Sequence, residues 1–138
     1  MEKYRLLRDL VACHPDIELI EPAAATNQDL LRAHDVAYIE AVTLGQLTDA
    51  QIREIGFPWS EAMVERSRRS AGATISACLS ALKEGVSVNL AGGTHHAYAD
   101  KGSGFCVFND ADVAARYVQS MSPTRVAVID LEEISRVQ

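Results

Sequence analysis

Cysteines are few and far apart in this sequence: Cys13, Cys78 and Cys106 are odd in number and form no CxxC pair. This spacing argues against a disulfide framework and a structural zinc cluster, and it is typical of proteins from a reducing compartment. No charged segment followed by an apolar core opens the chain, and no apolar run approaches about 18 residues. Secretion and membrane spanning are therefore disfavoured, and we expect a cytoplasmic protein.

Basic residues are in the minority, with 13 Lys and Arg against 19 Asp and Glu, which gives a formal net charge of −6. The densest basic group, Arg66, Arg68 and Arg69, is most simply explained as a solvated helix face. Nucleic-acid binding therefore has little support. Apolar and charged fractions of 48% and 23% are ordinary for a globular protein.

Helical and apolar extended segments alternate along the chain. Helices are predicted over 2–11, after Thr26, from Asp35 to before Gly45, between Thr48 and Gly56, over about 61–84, and from Asn109 or Asp110 to about Gln119. Strands are predicted at 17–20, 86–91 and 125–130. This order is typical of an α/β protein, in which a parallel sheet is flanked by helices.

The predicted strand at 86–91 leads into Gly92 and Gly93, which permit a tight turn, and then to the paired His95 and His96. One imidazole of such a pair can act as a general base near neutral pH while a carboxylate orients the other. Asp130 ends the next predicted strand, and neighbouring parallel strands end on the same side of a sheet. The histidine pair alone is a weak signal, and a purely structural role stays open.

The segment that follows the histidine pair contains a second glycine. Gly104 next to Phe105 indicates backbone that approaches a ligand beside an aromatic wall. Cys106, near two histidines, is an alternative nucleophile for a Cys–His hydrolase, although its apolar neighbours favour a buried packing role. His14 and His34 have no visible partners, and we expect both at the surface.

The motifs GGTHHA, GFCVFND and VAVID, with the flanking FPWSEAMVERSRRSAGAT, resemble the zinc-dependent histone deacetylase family in its bacterial deacetylase and acetylpolyamine amidohydrolase branch. The resemblance covers about residues 3–131 and corresponds to half or less of a family catalytic domain. It implies a partial arginase/deacetylase fold with parallel strands. We therefore expect a single partial domain over 1–138, with a divergent tail at 132–138.

The resemblance also assigns roles to individual residues. It implies that His95 and His96 are the tandem histidines beside a zinc-bound water, with His96 as general base and acid, and that Asp130 accepts a hydrogen bond from His95. The Gly104 carbonyl would hold the acyl-lysine amide, and Phe105 would line the substrate tunnel. In the family, zinc polarises the amide carbonyl and activates water; the implied substrates are acylated lysine or acylated polyamines.

The resemblance fails after Leu131, where the family pattern continues with Asp-x-His and then Gly-Asp-Gly. Here Glu132 stands at the first zinc-ligand position, Ile134 at the histidine ligand, and Val137 at a second orienting aspartate. A catalytic zinc site needs three protein ligands and an open position. We therefore expect a truncated deacetylase that does not bind zinc tightly and is inactive alone.

A non-catalytic role is the alternative expectation. A partial sheet leaves unpaired strand edges and an uncovered apolar face, which favour association with other chains. The sequence is therefore also consistent with a module that binds itself or a complementary fragment.

Overall fold

The computed structural model describes residues 2–131, and six helices lie within that range. They are α1 (Glu2–Val11), α2 (Asn27–Leu30), α3 (Val36–Leu44), α4 (Asp49–Ile55), α5 (Glu61–Glu84) and α6 (Asp110–Met121). All six were predicted from the sequence. Within this range no helix combines the length and apolarity needed to cross a membrane. The predicted tail at 132–138, including Glu132, lies outside the described residues.

Capping residues fix the helix ends near the site. Thr48 and Gln51 form a capping box at the start of α4, and Gly56 ends that helix in the left-handed conformation with φ 85°. The sequence left Asn109 and Asp110 open as caps for α6. The structure assigns the cap to Asn109, whose side chain accepts a hydrogen bond from the Asp112 amide at 3.0 Å.

The long helix α5 is the centre of the packing, and α6 lies against it. Gly72 in α5 meets the segment before α2: a Cβ placed on Gly72 would lie 2.0 Å from the Ala23 carbonyl oxygen. The Ala25 amide also donates to the Arg68 carbonyl at 2.9 Å. Another segment of the chain therefore approaches α5 closely at Gly72.

The predicted parallel sheet is not present among residues 2–131. Segments 17–20, 86–91 and 125–130 are extended but form no ladder, and the one isolated bridge in this range joins Ser103 to Cys106. Val86 and Val88 are 76% and 73% exposed, and Ile129 is 74% exposed. An apolar run indicates a tendency to be buried, but a strand also needs a neighbouring backbone to accept its hydrogen bonds. The flanking helices were thus predicted correctly, and the strand pairing is not confirmed among residues 2–131.

Candidate active site

The histidine pair lies at the end of the extended segment after α5, beside the third predicted strand. The Nε2 atom of His95 is 3.1 Å from the Oδ2 atom of Asp130, and its Nδ1 atom is 3.1 Å from the Gly93 carbonyl oxygen. The rings of His95 and His96 are in contact, with 4.1 Å between centroids and a tilt of 45° between their planes. Because the His96 side chain is exposed, it can exchange protons while its neighbour is held.

The turn before the histidines is fixed by a buried carboxylate. Asp110, at the first position of α6, is fully buried. Its Oδ2 atom accepts a hydrogen bond from the Gly93 amide at 3.0 Å, and its Oδ1 atom accepts one from the Thr94 amide at 2.8 Å. Thr74 of α5 donates its hydroxyl to the same carboxylate at 2.7 Å. Both major helices therefore hold the turn.

A second polar group supports the backbone behind the histidines. The Asn109 side-chain amide donates to the carbonyls of His95 and Ala97, both at 3.0 Å. The Asn109 backbone amide in turn donates to His34 Nε2 at 3.0 Å, and His34 Nδ1 lies 2.8 Å from the Tyr98 carbonyl oxygen. Since Nε2 accepts, the His34 proton lies on Nδ1.

The expectation of a surface position for His34 is wrong, because the residue is only 4% exposed. Burial lowers the pKa of His34, and this keeps the imidazole neutral as its two hydrogen bonds require. Its partners are backbone groups at 98 and 109, more than 60 positions away. No local pattern around His34 signals them. The DLLRAHDVAYI stretch places His34 beside an apolar helix, and this position favours burial of the side chain.

The Gly104–Phe105 pair forms the tip of a tight turn. Ser103 and Cys106 exchange backbone hydrogen bonds of 3.0 and 2.8 Å across it, and Gly104 and Phe105 have φ values of 54° and 65°. Two consecutive positive φ values are the geometry of a type I′ turn, which is unusual for phenylalanine. The amides of Gly104 and Phe105 donate to the Glu54 and Ile55 carbonyls at the end of α4, so the helix stabilises the strained turn.

This turn lies directly against the histidine pair. A Cβ placed on Gly104 would be 3.4 Å from the His96 ring, and the exposed Phe105 ring packs edge-on to Phe57 at 5.2 Å between centroids. The two predicted substrate-binding residues are therefore brought to the predicted catalytic pair. Phe57 extends the same aromatic wall.

An open groove of about 1510 Å³ runs beside these residues. Its walls are formed by segments 87–96 and 104–108, by segment 18–22, and by the small side chains of α5. Cys106 borders the groove but is only 5% exposed, and burial raises the pKa of its thiol. A raised thiol pKa disfavours the thiolate that a Cys–His hydrolase needs.

A metal ion needs a tighter cluster of donors than the described residues offer. Among residues 2–131, no three His, Cys, Asp or Glu side chains lie close enough together to hold a metal ion. His95 directs one ring nitrogen at Asp130 and the other at a backbone carbonyl. A catalytic zinc site has three protein ligands, so these residues do not fit one by themselves. Glu132, at the position of a family ligand, lies outside the described range.

Comparison with known proteins connects this geometry to one family. The family model for the histone deacetylase domain matches residues 2–132. The chain is 36% identical to an uncharacterized protein of Picosynechococcus sp., over 96% of this chain and 45% of that protein. It is 31% identical to the acetoin utilization protein AcuC of Bacillus subtilis, over 94% of this chain and 36% of AcuC. It is 30% identical to histone deacetylase 2 of Arabidopsis thaliana, over 83% of this chain and 31% of that enzyme.

Solved structures give the same answer. An HDAC homolog from Aquifex aeolicus and an HDAC homolog complexed with SAHA each match with a TM-score of 0.71 and 30% identity, over 86% of this chain and 34% of theirs. These likenesses imply the arginase/deacetylase fold, of which residues 2–131 contain helices but no strand ladder. The chain spans less than half the length of these relatives. By its sequence and by its structure, the chain belongs to the histone deacetylase family.

Proposed function

We propose that the chain is a partial deacetylase-family amidohydrolase domain, which supplies the proton-transferring histidine pair for the removal of an acyl group from acyl-lysine or another acylated amine. The observation that carries this proposal is the contact of 3.1 Å between His95 Nε2 and Asp130 Oδ2, with the His96 ring 4.1 Å from the His95 ring between centroids. Membership of the histone deacetylase family supports the reaction class.

Hydrolysis of an amide needs a base that takes a proton from water and an acid that gives one to the leaving amine. His96 is the exposed member of the pair, next to the groove, and it is proposed for both tasks. The two ring nitrogens of His95 face the Asp130 carboxylate and the Gly93 carbonyl. His95 is proposed to orient His96 through their ring contact and to stabilise charge beside it.

The substrate is proposed to lie against the Gly104–Phe105 turn. The Gly104 carbonyl would accept a hydrogen bond from the substrate amide, and the exposed Phe105 ring would pack on the aliphatic chain of an acylated lysine or polyamine. The close approach of Gly104 to the His96 ring supports this placement, because it brings the bound amide next to the proposed base.

A titration with peptide tests the substrate assignment. Backbone amide signals of the full chain are followed by NMR while a peptide with one acetyl-lysine is added, with the unacetylated peptide as control. We expect shifts at Gly104, Phe105 and His96 with the acetylated peptide only, and weaker binding by Phe105→Ala. The absence of any shift at these residues in the wild-type chain would reject the proposed substrate class.

We further propose that the chain alone does not hold zinc tightly and does not turn the substrate over efficiently. The described residues provide no three-donor group, and Ile134 stands at the position of a family histidine ligand. Calorimetric titration of the full chain with zinc should give no tight one-to-one binding, and an acetate-release assay with zinc present should give no rate above that of His96→Ala. Tight stoichiometric binding, or turnover that depends on His96, contradicts this part of the proposal.

Exposed apolar side chains favour a second candidate function. Val86, Val88, Val128 and Ile129 are between 64% and 76% exposed, in segments that have no strand partner among residues 2–131. We propose as the alternative a non-catalytic module that associates with a second copy of itself through these segments.

A further inference from the structure

We propose that Asp110, anchored by Thr74, is a positioning residue for the histidine pair. It sets the orientation of His95 toward Asp130 by holding the peptide group between Gly93 and Thr94. The inference rests on the proposed function only in giving the histidine pair a catalytic role. The geometric claim itself concerns the described residues and can be measured without substrate or metal.

The Asp110 carboxylate is buried among hydrogen-bond donors. Asp110 has no solvent exposure and accepts three hydrogen bonds, from the Gly93 amide, the Thr94 amide and the Thr74 hydroxyl. A buried carboxylate is tolerated when donors surround it, and the first turn of a helix favours negative charge. Three directed donors define the position of the carboxylate, and the carboxylate in turn defines the positions of both amides.

Helix α5 anchors the Asp110 carboxylate through Thr74. Thr74 accepts a hydrogen bond from the Asn89 side-chain amide at 2.8 Å, and its own proton faces Asp110 at 2.7 Å rather than the Ser70 carbonyl at 3.3 Å. The carboxylate is therefore held between the middle of α5 and the start of α6. A shift of Asp110 would break contacts with both helices.

One peptide group connects the Asp110 carboxylate to the His95 imidazole. In a trans peptide group the N–H and the C=O point in opposite directions. The peptide group that joins Gly93 to Thr94 donates its N–H to Asp110, and its C=O is 3.1 Å from His95 Nδ1. The opposite ring nitrogen of His95 faces Asp130. The Asp110 carboxylate thus determines the position of the Gly93 carbonyl, which faces one edge of the His95 ring. The other edge of the ring faces Asp130.

Gly92 leaves the space that the Asp110 carboxylate occupies. A Cβ placed there would lie 2.7 Å from Asn89 Nδ2 and 2.9 Å from Asp110 Oδ2. Gly93 adopts a φ of 91°, which allows its amide to point at the carboxylate. The two glycines therefore make room for the carboxylate and turn the backbone around it.

The test compares Thr74→Val, Thr74→Ser and Asp110→Asn with the matched control Asp112→Asn in the full chain without metal. Asp112 is in the same first turn of α6 and carries the same charge, but it pairs with Arg116 at the surface. Two quantities are measured by NMR: the ring ¹⁵N shifts of His95, and the exchange rate of the Thr94 amide. The free energy of unfolding is measured in parallel.

We expect Thr74→Val to move the His95 ring signals and to speed Thr94 exchange roughly tenfold, as loss of one buried hydrogen bond permits. Thr74→Ser should restore both quantities, Asp110→Asn should change them further, and Asp112→Asn should leave them at wild-type values. If Asp110→Asn does not fold, the two Thr74 variants and the wild-type exchange rate decide the question.

Unchanged His95 ring signals in Thr74→Val, even with lowered stability, would show a merely structural network and overturn the inference. Rapid Thr94 exchange in the wild-type chain would overturn it as well. Because neither readout uses substrate, failure of the chain to bind acetyl-lysine peptide rejects the proposed function and leaves this result standing.

Discussion

His34 joins parts of the chain that are distant in sequence, since its two ring nitrogens contact the Tyr98 carbonyl and the Asn109 amide. Asn109 then holds the carbonyls of His95 and Ala97. A neutral, buried imidazole is therefore part of the support for the histidine pair. Protonation would place a second donor against the Asn109 amide and break that contact.

A dependence of stability on pH follows from this neutral state. Burial lowers the pKa of His34 below its ordinary value of 6.5, although Asp112 and Asp35 act in the opposite direction. In the range between the folded pKa and 6.5, the unfolded chain binds more protons than the folded chain. The contribution of His34 is therefore complete above about pH 6.5 and is lost as the pH falls toward the folded pKa.

Urea unfolding between pH 7.5 and 5 measures this contribution. We expect the free energy of unfolding of the wild-type chain to fall across the range, and His34→Gln to be less stable at pH 7.5 with a flatter dependence. His14→Gln is the control, because His14 is exposed. Equal pH dependence in the wild-type chain and His34→Gln would contradict the neutral buried state.

At the level of single residues, part of the site was predicted from the sequence. The argument that parallel strands end on one side of a sheet placed Asp130 beside the histidine pair, and the family resemblance assigned the contact to His95; these two side chains are in contact. Asp110 was not predicted as a support, because a carboxylate at a helix start is ordinarily an exposed partner of the helix dipole. Only the packing of α5 against α6 makes this carboxylate buried and directed at the turn.

At the level of secondary-structure elements, small residues of α5 determine how other segments pack against this helix. Gly72 permits the backbone at 23–25 to cross the helix, and Ser70 donates to the Ala91 carbonyl at 2.9 Å. Asn89 donates to the Ser70 carbonyl at 3.1 Å. The segment that precedes the histidines is therefore held by side chains of α5.

Replacement of Gly72 by Ala separates helix propensity from packing. Alanine improves the propensity by up to about 1 kcal/mol, but its Cβ would lie 2.0 Å from the Ala23 carbonyl oxygen and 2.9 Å from the Ala25 amide nitrogen. Because both contacts are backbone, we expect a net loss of about 2 kcal/mol or more in the free energy of unfolding. Denaturant unfolding measures it.

Ser80→Ala in the same helix is the matched control for Gly72→Ala. Ser80 is only partly buried, and we expect its replacement to change stability by no more than about 0.5 kcal/mol. A Gly72→Ala chain as stable as the wild type would mean that the crossing segment moves away without loss, and that the close approach is not required.

Considered as a whole molecule, the described chain has a helical core and uncovered extended segments. The core includes fully buried Leu30, Val42, Phe108 and Val113. Segments 86–91 and 125–130 instead present exposed valine and isoleucine side chains with no strand beside them. Exposed extended backbone next to apolar side chains is a template for pairing with another chain.

Self-association is therefore expected to depend on these segments. Sedimentation velocity from low to high micromolar concentration should show an increasing sedimentation coefficient for the wild-type chain. The increase should be reduced in the double variant Val88→Lys, Ile129→Lys. Val36→Lys is the control, because Val36 is also exposed, at 57%, but lies in α3. A folded wild-type monomer at every concentration would reject the second candidate function.

The sequence by itself determined the helices, most of their caps, the family and the candidate histidine pair. These features depend on local signals: apolar spacing, capping side chains, and glycines at turns. Tertiary structure alone decided the burial of His34 and Asp110 and the strained Phe105 turn on α4, since each depends on contacts between segments far apart in the chain. It also decided that the extended segments stay unpaired among the described residues, because a strand forms only where a second backbone completes its hydrogen bonds.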